Sequence, residues 1–127
     1  MTKIGILVFG ITIFLPVTAI ADEILLFGGQ NNDVFLGCFN CDQYNSQSIH
    51  NKFGQHGSEY STDSIFNRFG QYGGNYSQYS PCNKFSNNGP VLVERNGGYY
   101  GRLTTNRYAP DAISDNKIVA WLSDICR

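Results

Sequence analysis

The stretch Ser48-Ile49-His50-Asn51-Lys52-Phe53-Gly54-Gln55-His56-Gly57-Ser58-Glu59-Tyr60-Ser61 returns sixteen residues later as Ser64-Ile65-Phe66-Asn67-Arg68-Phe69-Gly70-Gln71-Tyr72-Gly73-Gly74-Asn75-Tyr76-Ser77. A truncated third copy follows as Ser80-Pro81-Cys82-Asn83-Lys84-Phe85-Ser86, with Gly89 in register with Gly57 and Gly73. Asn, a cation, Phe and Gly kept in phase mean that one backbone unit recurs, because chance does not hold four residue types in register. The units are too rich in Gly, Ser, Asn and Tyr for long helices or strands. Ser-Ile-x-Asn reads as a short helical turn, capped by Ser48 in one copy and by Asp63 with Ser64 in the next, and stopped by the later glycines. Each unit is expected to bury one Ile and one or two aromatics, supplied by Ile49, Phe53, Ile65, Phe69 and Phe85. That regular apolar supply argues for order in a composition that often leaves a chain disordered.

A weaker match at four times this period relates the two ends of the region. Phe35, Gly37, Tyr44 and Ile49 correspond to Tyr99, Gly101, Tyr108 and Ile113. Each end reads as a β-hairpin. Val91 to Arg95 and Tyr99 to Thr104, rich in β-branched and aromatic residues, flank Asn96-Gly97, and Ile24 to Gly28 and Val34 to Cys38 flank Gln30-Asn31-Asn32-Asp33. From Ile118 onward, Val119, Trp121, Leu122 and Ile125 suit one face of an amphipathic helix. The expected fold class is therefore α+β, a small β-rich domain of two β-hairpins joined by 16-residue turn-rich repeats, with a C-terminal amphipathic helix. Residues 22–47 would hold the first hairpin, 48–89 the repeats, 90–110 the second hairpin and 111–127 the helix.

Residues 1–21 read as an export signal rather than as part of the domain. Lys3 supplies the positive start, Ile4 to Val17 the apolar run, and Ala19-Ile20-Ala21 the small-x-small cleavage site, so the mature chain is expected to begin at Asp22. The run is too short for a bilayer span, which needs about 20 apolar residues, and Pro16 interrupts it. No membrane span is expected after cleavage, and the protein is expected to be periplasmic or secreted from a bacterium.

Charge excludes another class. The 127-residue chain carries a formal net charge of -1, and once Lys3 is removed its cations are outnumbered by ten acids, so no nucleic-acid partner is expected. No Gly-x-Ser-x-Gly elbow, His-Glu-x-x-His, Walker loop or dinucleotide fingerprint occurs, and no cofactor is implied.

Several motifs together carry a resemblance: Leu36-Gly37-Cys38-x-Asn40-Cys41, the Ser-Ile-x-Asn-x-Phe-Gly-x-x-Gly-x-x-Tyr-Ser repeats, Ser80-Pro81-x-Asn83, and the later Gly-x-Tyr-Gly-x-Leu-Thr-x-Asn-x-Tyr. In these the chain resembles a group of small exported bacterial proteins of uncharacterised function that carry tandem Asn, Tyr and Gly repeats. The resemblance implies export and a shared fold, and it brings over no catalytic residue. The chain departs from the group at Cys82, where Trp is usual, and in a longer tail ending at Cys126. Four cysteines in a small exported chain point to disulfides, with three connectivities open. The paired departures favour Cys82 with Cys126, leaving Cys38 with Cys41.

Cys38-Phe39-Asn40-Cys41 can also be read as a redox dithiol or half of a metal site. Against the first, the motif follows an apolar strand and precedes Asp42, whose charge opposes a thiolate; against the second, zinc would need two more ligands. His50 aligns with Phe66 and Cys82, and His56 with Tyr72, so both histidines occupy positions where another copy has a packing residue. What remains is a surface. Asn51, Lys52, Tyr60, Asn67, Arg68, Tyr72, Tyr76 and Tyr79 combine rigid aromatic area with adaptable hydrogen bonding, which suits protein or glycan recognition. The expected function is an exported binding or interaction module, of inhibitor or immunity type, for a protein or glycan partner. A thiol-disulfide redox or hydrolytic enzyme is the alternative.

Overall fold

The computed structural model describes residues 22–127, and the export signal expected over 1–21 lies outside them. Four short strands, β1 (Ile24–Gly28), β2 (Val34–Cys38), β3 (Val91–Glu94) and β4 (Tyr99–Arg102), are followed by one helix, α1 (Asn116–Ile125). The domain is thus small, β-rich and α+β. The strands form one antiparallel sheet in the order β2-β1-β3-β4, so β1 and β3, more than sixty residues apart in sequence, pair at its centre. Their central cross-strand partners Leu26 and Leu92 are 0% and 1% exposed. Gly37 lies opposite Leu26 and Gly101 opposite Leu92 on the outer strands, both at positive φ, and each hairpin ladder shifts register at the bulge beside that leucine.

Between the hairpins the backbone runs as consecutive hydrogen-bonded turns rather than as helical turns. Amide-to-carbonyl bonds three residues apart start at Ser48, Asn51, Gly54, Ser58 and, one unit later, at Ser64, Asn67, Gly70, Gly74 and Ser77. The short helical turn expected for Ser-Ile-x-Asn is replaced by a turn closed three residues apart. A helix needs an unbroken succession of amide-to-carbonyl bonds four residues apart, whereas here the side chain opening each turn takes up the amide two residues on. Ser48 Oγ accepts from the His50 amide, Asn51 Oδ1 from Phe53, Ser64 Oγ from Phe66 and Asn67 Oδ1 from Phe69. This is the Asx and Ser/Thr turn chemistry that competes with helices. The asparagines also donate back across the run: Nδ2 of Asn51, Asn67 and Asn83 reaches the carbonyls of Asn45, Ser61 and Ser77 at 3.3, 3.0 and 3.1 Å.

The corner after each Ser-type start points inward. Ile49 and Ile65 are 1% and 0% exposed, and Pro81, the same position in the third unit, is also fully buried. Ile49 and Ile65 meet Leu26, Leu36, Leu92, Leu103, Ile113 and Leu122 in a single core. At about 25 cal/mol per Å² of apolar surface buried, each isoleucine contributes roughly 2 to 3 kcal/mol, which is how a Gly- and Ser-rich run stays folded. Gly57 and Gly73 permit the tight stacking, since a Cβ there would lie 2.0 and 2.3 Å from the Asn51 and Asn67 carbonyl oxygens.

Helix α1 begins at Asn116 rather than at 111, because Asp115 is its cap and accepts from the amides of Lys117 and Ile118. Leu122 is buried, with Ile118, Trp121 and Ile125 packed against the core. The Cys82–Cys126 disulfide, with 5.2 Å between Cα atoms, fastens the end of α1 to the third turn unit, and Cys38–Cys41 closes a short loop after β2. Among the described residues no helix is long and apolar enough to cross a membrane.

Candidate binding groove

The second kind of turn in each unit opens with Asn, Asp, Ser or Gly and carries an aromatic at its third residue. Asp42-Gln43-Tyr44-Asn45, Asn51-Lys52-Phe53-Gly54, Ser58-Glu59-Tyr60-Ser61 and Asn67-Arg68-Phe69-Gly70 all close by the same bond, as do the turns around Tyr76, Phe85 and Tyr108. A side chain at that corner projects away from the ribbon. Phe53 and Phe69 are consequently 99% and 101% exposed, Phe85 is 82% exposed, and Tyr44, Tyr60, Tyr76 and Tyr108 are all above four-fifths. The expectation that Phe53, Phe69 and Phe85 help to fill the core is overturned. A helical reading places Phe53 one turn from Ile49 on the same face, while the turn places it on the outside.

Neighbouring corners face each other across clefts. Tyr44 and Phe53 flank one of about 320 Å³, with Lys52 and His50 also on its walls. Tyr60 and Phe69 flank a second of about 200 Å³, in which Arg68 and Phe66 take the places of Lys52 and His50. Phe85 and Tyr108 flank another of about 470 Å³, with Lys84 and Arg107. Between the first two lies a pocket of about 330 Å³, floored by Ile49 and closed on one side by Trp121 of α1. It shares His50 and Lys52 with the first cleft and Glu59, Tyr60 and Phe66 with the second, so the three depressions form one groove.

The residues expected to form a surface divide in two. Lys52, Tyr60 and Tyr76 are exposed. Tyr72 is 8% exposed and belongs to the core, and Tyr79 is half-buried against it, so these two do not offer a surface. Burial pushes the Tyr72 hydroxyl above its usual range, helped by the Asp63 charge. Asn51 and Asn67 are consumed by the turn bonds already described. The Arg68 guanidinium is half-buried, donating to the Gly73 carbonyl and lying 3.0 Å from Cys82 Sγ. Residue type alone did not reveal Tyr44, Phe53, Glu59, Phe69 and Trp121 as groove residues. The usable signal was an Asn-cation-Phe-Gly tetrad, which is a β-turn with its third residue outward.

His50 has Nε2 2.9 Å from the Phe39 carbonyl oxygen and its ring 6.3 Å from Trp121. His56, 6% exposed, meets the edge of Phe35 at 4.9 Å. Neither ring is hydrogen-bonded to a carboxylate or a hydroxyl among the described residues. At the other motif, a Glu23 carboxylate oxygen sits 3.6 Å from Cys41 Sγ, and Glu23 with the two cysteines is the one cluster of metal-ligating type among the described residues. With Cys38 and Cys41 joined, neither sulfur is a thiolate ligand. No protein-family model, curated protein or solved structure matches the chain.

Proposed function

We propose that the protein is an exported binding module that holds a protein or glycan partner on its row of exposed Tyr and Phe corners. The observation that carries this reading is the exposure of Phe53, Phe69 and Phe85, side chains that ordinarily gain about 1.5–3 kcal/mol by burial, on a scaffold whose adjoining turns bury Ile49 and Ile65. Solvent-facing aromatics that recur, rimmed by cations, mark an interaction surface more than a fold requirement. The turn bonds and disulfides hold these corners rigid before a partner arrives, which lowers the ordering cost of association. The export signal over 1–21, the kinship with small exported repeat proteins and the role of the sixteen-residue units as a display scaffold belong to this same reading.

The thiol-disulfide alternative is disfavoured by the Glu23 carboxylate beside Cys41, whose charge opposes the thiolate an exchange reaction needs. The deciding experiment is capture from the protein's own cell envelope and medium with the wild type and with Phe53→Ser/Phe69→Ser/Phe85→Ser. The wild type should retain a partner that the triple variant loses while remaining folded. Equal capture by both overturns the assignment of the surface.

A further inference from the structure

We propose, building on the binding reading above, that the groove takes a linear acidic polysaccharide, with one sugar ring seated in the central pocket between Tyr60 and Trp121 and its carboxylate toward Lys52. A pyranose ring offers an apolar face of C–H groups and a rim of hydroxyls. The apolar face stacks on the electron-rich face of an aromatic ring, and the hydroxyls need short-range donors and acceptors. The central pocket supplies both, having Tyr60, Phe66 and Trp121 for the first and Ser58, Glu59 and His50 for the second. Its volume of about 330 Å³ suits a ligand fragment the size of one ring, at the low end of the roughly 300–1,000 Å³ of small-molecule sites.

Recurrence points to a polymer. The cleft on each side of the pocket repeats the same Tyr, cation and Phe, so a chain of like units finds like chemistry at successive positions, and weak contacts combine through effective concentration. Charge selects an acidic one. The groove and the Phe85 cleft are lined by Lys52, Arg68, Lys84 and Arg107 against Glu59 alone, in a chain whose net charge is -1. Neither Lys52 nor Lys84 is paired with a carboxylate among the described residues. A second copy of this chain docking by the same face is the poorer occupant, because it would set these cations against their own kind.

Trp121 is the single tryptophan of the chain and lines the pocket, so a change in its fluorescence on titration is assigned to one residue there. The exported protein is titrated with polygalacturonate, with a neutral glucan of matched length, with polyglutamate and with oligo-thymidylate, reading Trp121 emission and heat. Polygalacturonate should give a saturable change at least about tenfold tighter than the other three, and long oligomers should bind about tenfold or more tighter than short ones. Tyr60→Ala and Lys52→Glu, both at exposed side chains, should each weaken it by about tenfold while circular dichroism and Tm stay unchanged. Absent polygalacturonate binding, equal binding of polyglutamate or oligo-thymidylate, or indifference to both variants overturns the proposal. If polygalacturonate fails while the triple phenylalanine variant still loses its envelope partner, the polysaccharide falls and the binding surface stands.

Discussion

Gly37 and Gly101, sixty-four residues apart, hold one conformation, with φ of 121° and 120°, each opposite the buried leucine of a central strand. The residues after them anchor the chain alike. The Cys38 amide donates to the Gln47 carbonyl and the Ile49 amide to the Cys38 carbonyl, at 2.7 and 3.0 Å, while Arg102, Asp111 and Ile113 make the same pair at 2.8 and 3.0 Å. The two ends of the turn-rich region are therefore clamped to the outer strands by one device, in which Cys38 carries a disulfide to Cys41 where its counterpart Arg102 carries an ion pair to Asp111.

Alanine at these glycines should destabilise the domain in a defined order. At Gly97, also at positive φ but with open space around its missing Cβ, only the backbone cost of roughly 1 kcal/mol applies. At Gly37 a Cβ would also meet His56 Cβ at 2.7 Å and Ile49 Cγ2 at 2.8 Å. Urea unfolding should show Gly37→Ala costing at least about twice as much as Gly97→Ala, the clash adding to the strain.

Asn67 serves two bonds at once, accepting from the Phe69 amide and donating to the Ser61 carbonyl, both at 3.0 Å. Asn67→Ala should lower unfolding free energy by about 1–3 kcal/mol. Asn67→Asp keeps the acceptor and loses the donor, and chemical denaturation should place it between wild type and alanine.

Phe53→Ser, Phe69→Ser and Phe85→Ser should each leave stability within about 0.5 kcal/mol of wild type, the behaviour of surface changes. Were these rings core residues, each loss would be about 3 kcal/mol or more. Thermal unfolding of the three single variants separates the two outcomes directly.

The disulfides should contribute unequally. In the chain-entropy view the Cys82–Cys126 loop, with a sequence separation of 44, is worth about 4 kcal/mol. The Cys38–Cys41 loop, with a separation of 3, is worth about 2 kcal/mol. Cys82→Ser/Cys126→Ser should accordingly lower the denaturation midpoint further than Cys38→Ser/Cys41→Ser.

Tyr99 and Asp111 should shape both pH limbs. Burial pushes the Asp111 carboxyl up, but hydrogen bonds from Tyr99, at 2.5 Å, and from Arg102, with the Arg102 charge, outweigh it and hold the carboxyl below its ordinary 3.8. Its share of stability is therefore present above that value and lost as pH falls through the lower folded one. Tyr99 moves the other way: burial first, then the bond to Asp111, carry its hydroxyl from 10.0 to about 12. That contribution is complete below pH 10.0 and is lost as pH rises toward about 12. Ultraviolet titration should show the tyrosine that ionises near 12 disappear in Tyr99→Phe while the other raised tyrosines remain, and Asp111→Asn should flatten the acid limb.

The sequence by itself determined that the domain is small and β-rich with one terminal helix, and that its cysteines suit an oxidising compartment. These follow from local chemistry: β-branched runs flanking turn residues, a 3-and-4 apolar spacing ending in Ile118, Trp121, Leu122 and Ile125, and an even number of cysteines in a short chain. Only the tertiary structure decided which side of each turn faces water. Ile49 and Phe53 are four residues apart and equally apolar in type, so a helical turn buries both and a pair of Asx-type turns buries the first and exposes the second. The choice rests on whether Asn51 bonds its own backbone two residues on and reaches back to Asn45, a competition settled by the packing of Ile49 and Ile65 under the sheet. The joining of Trp121 to the turn corners as one groove is likewise tertiary, because Trp121 meets His50 and shares a pocket with Tyr60 only when α1 folds back against the turns.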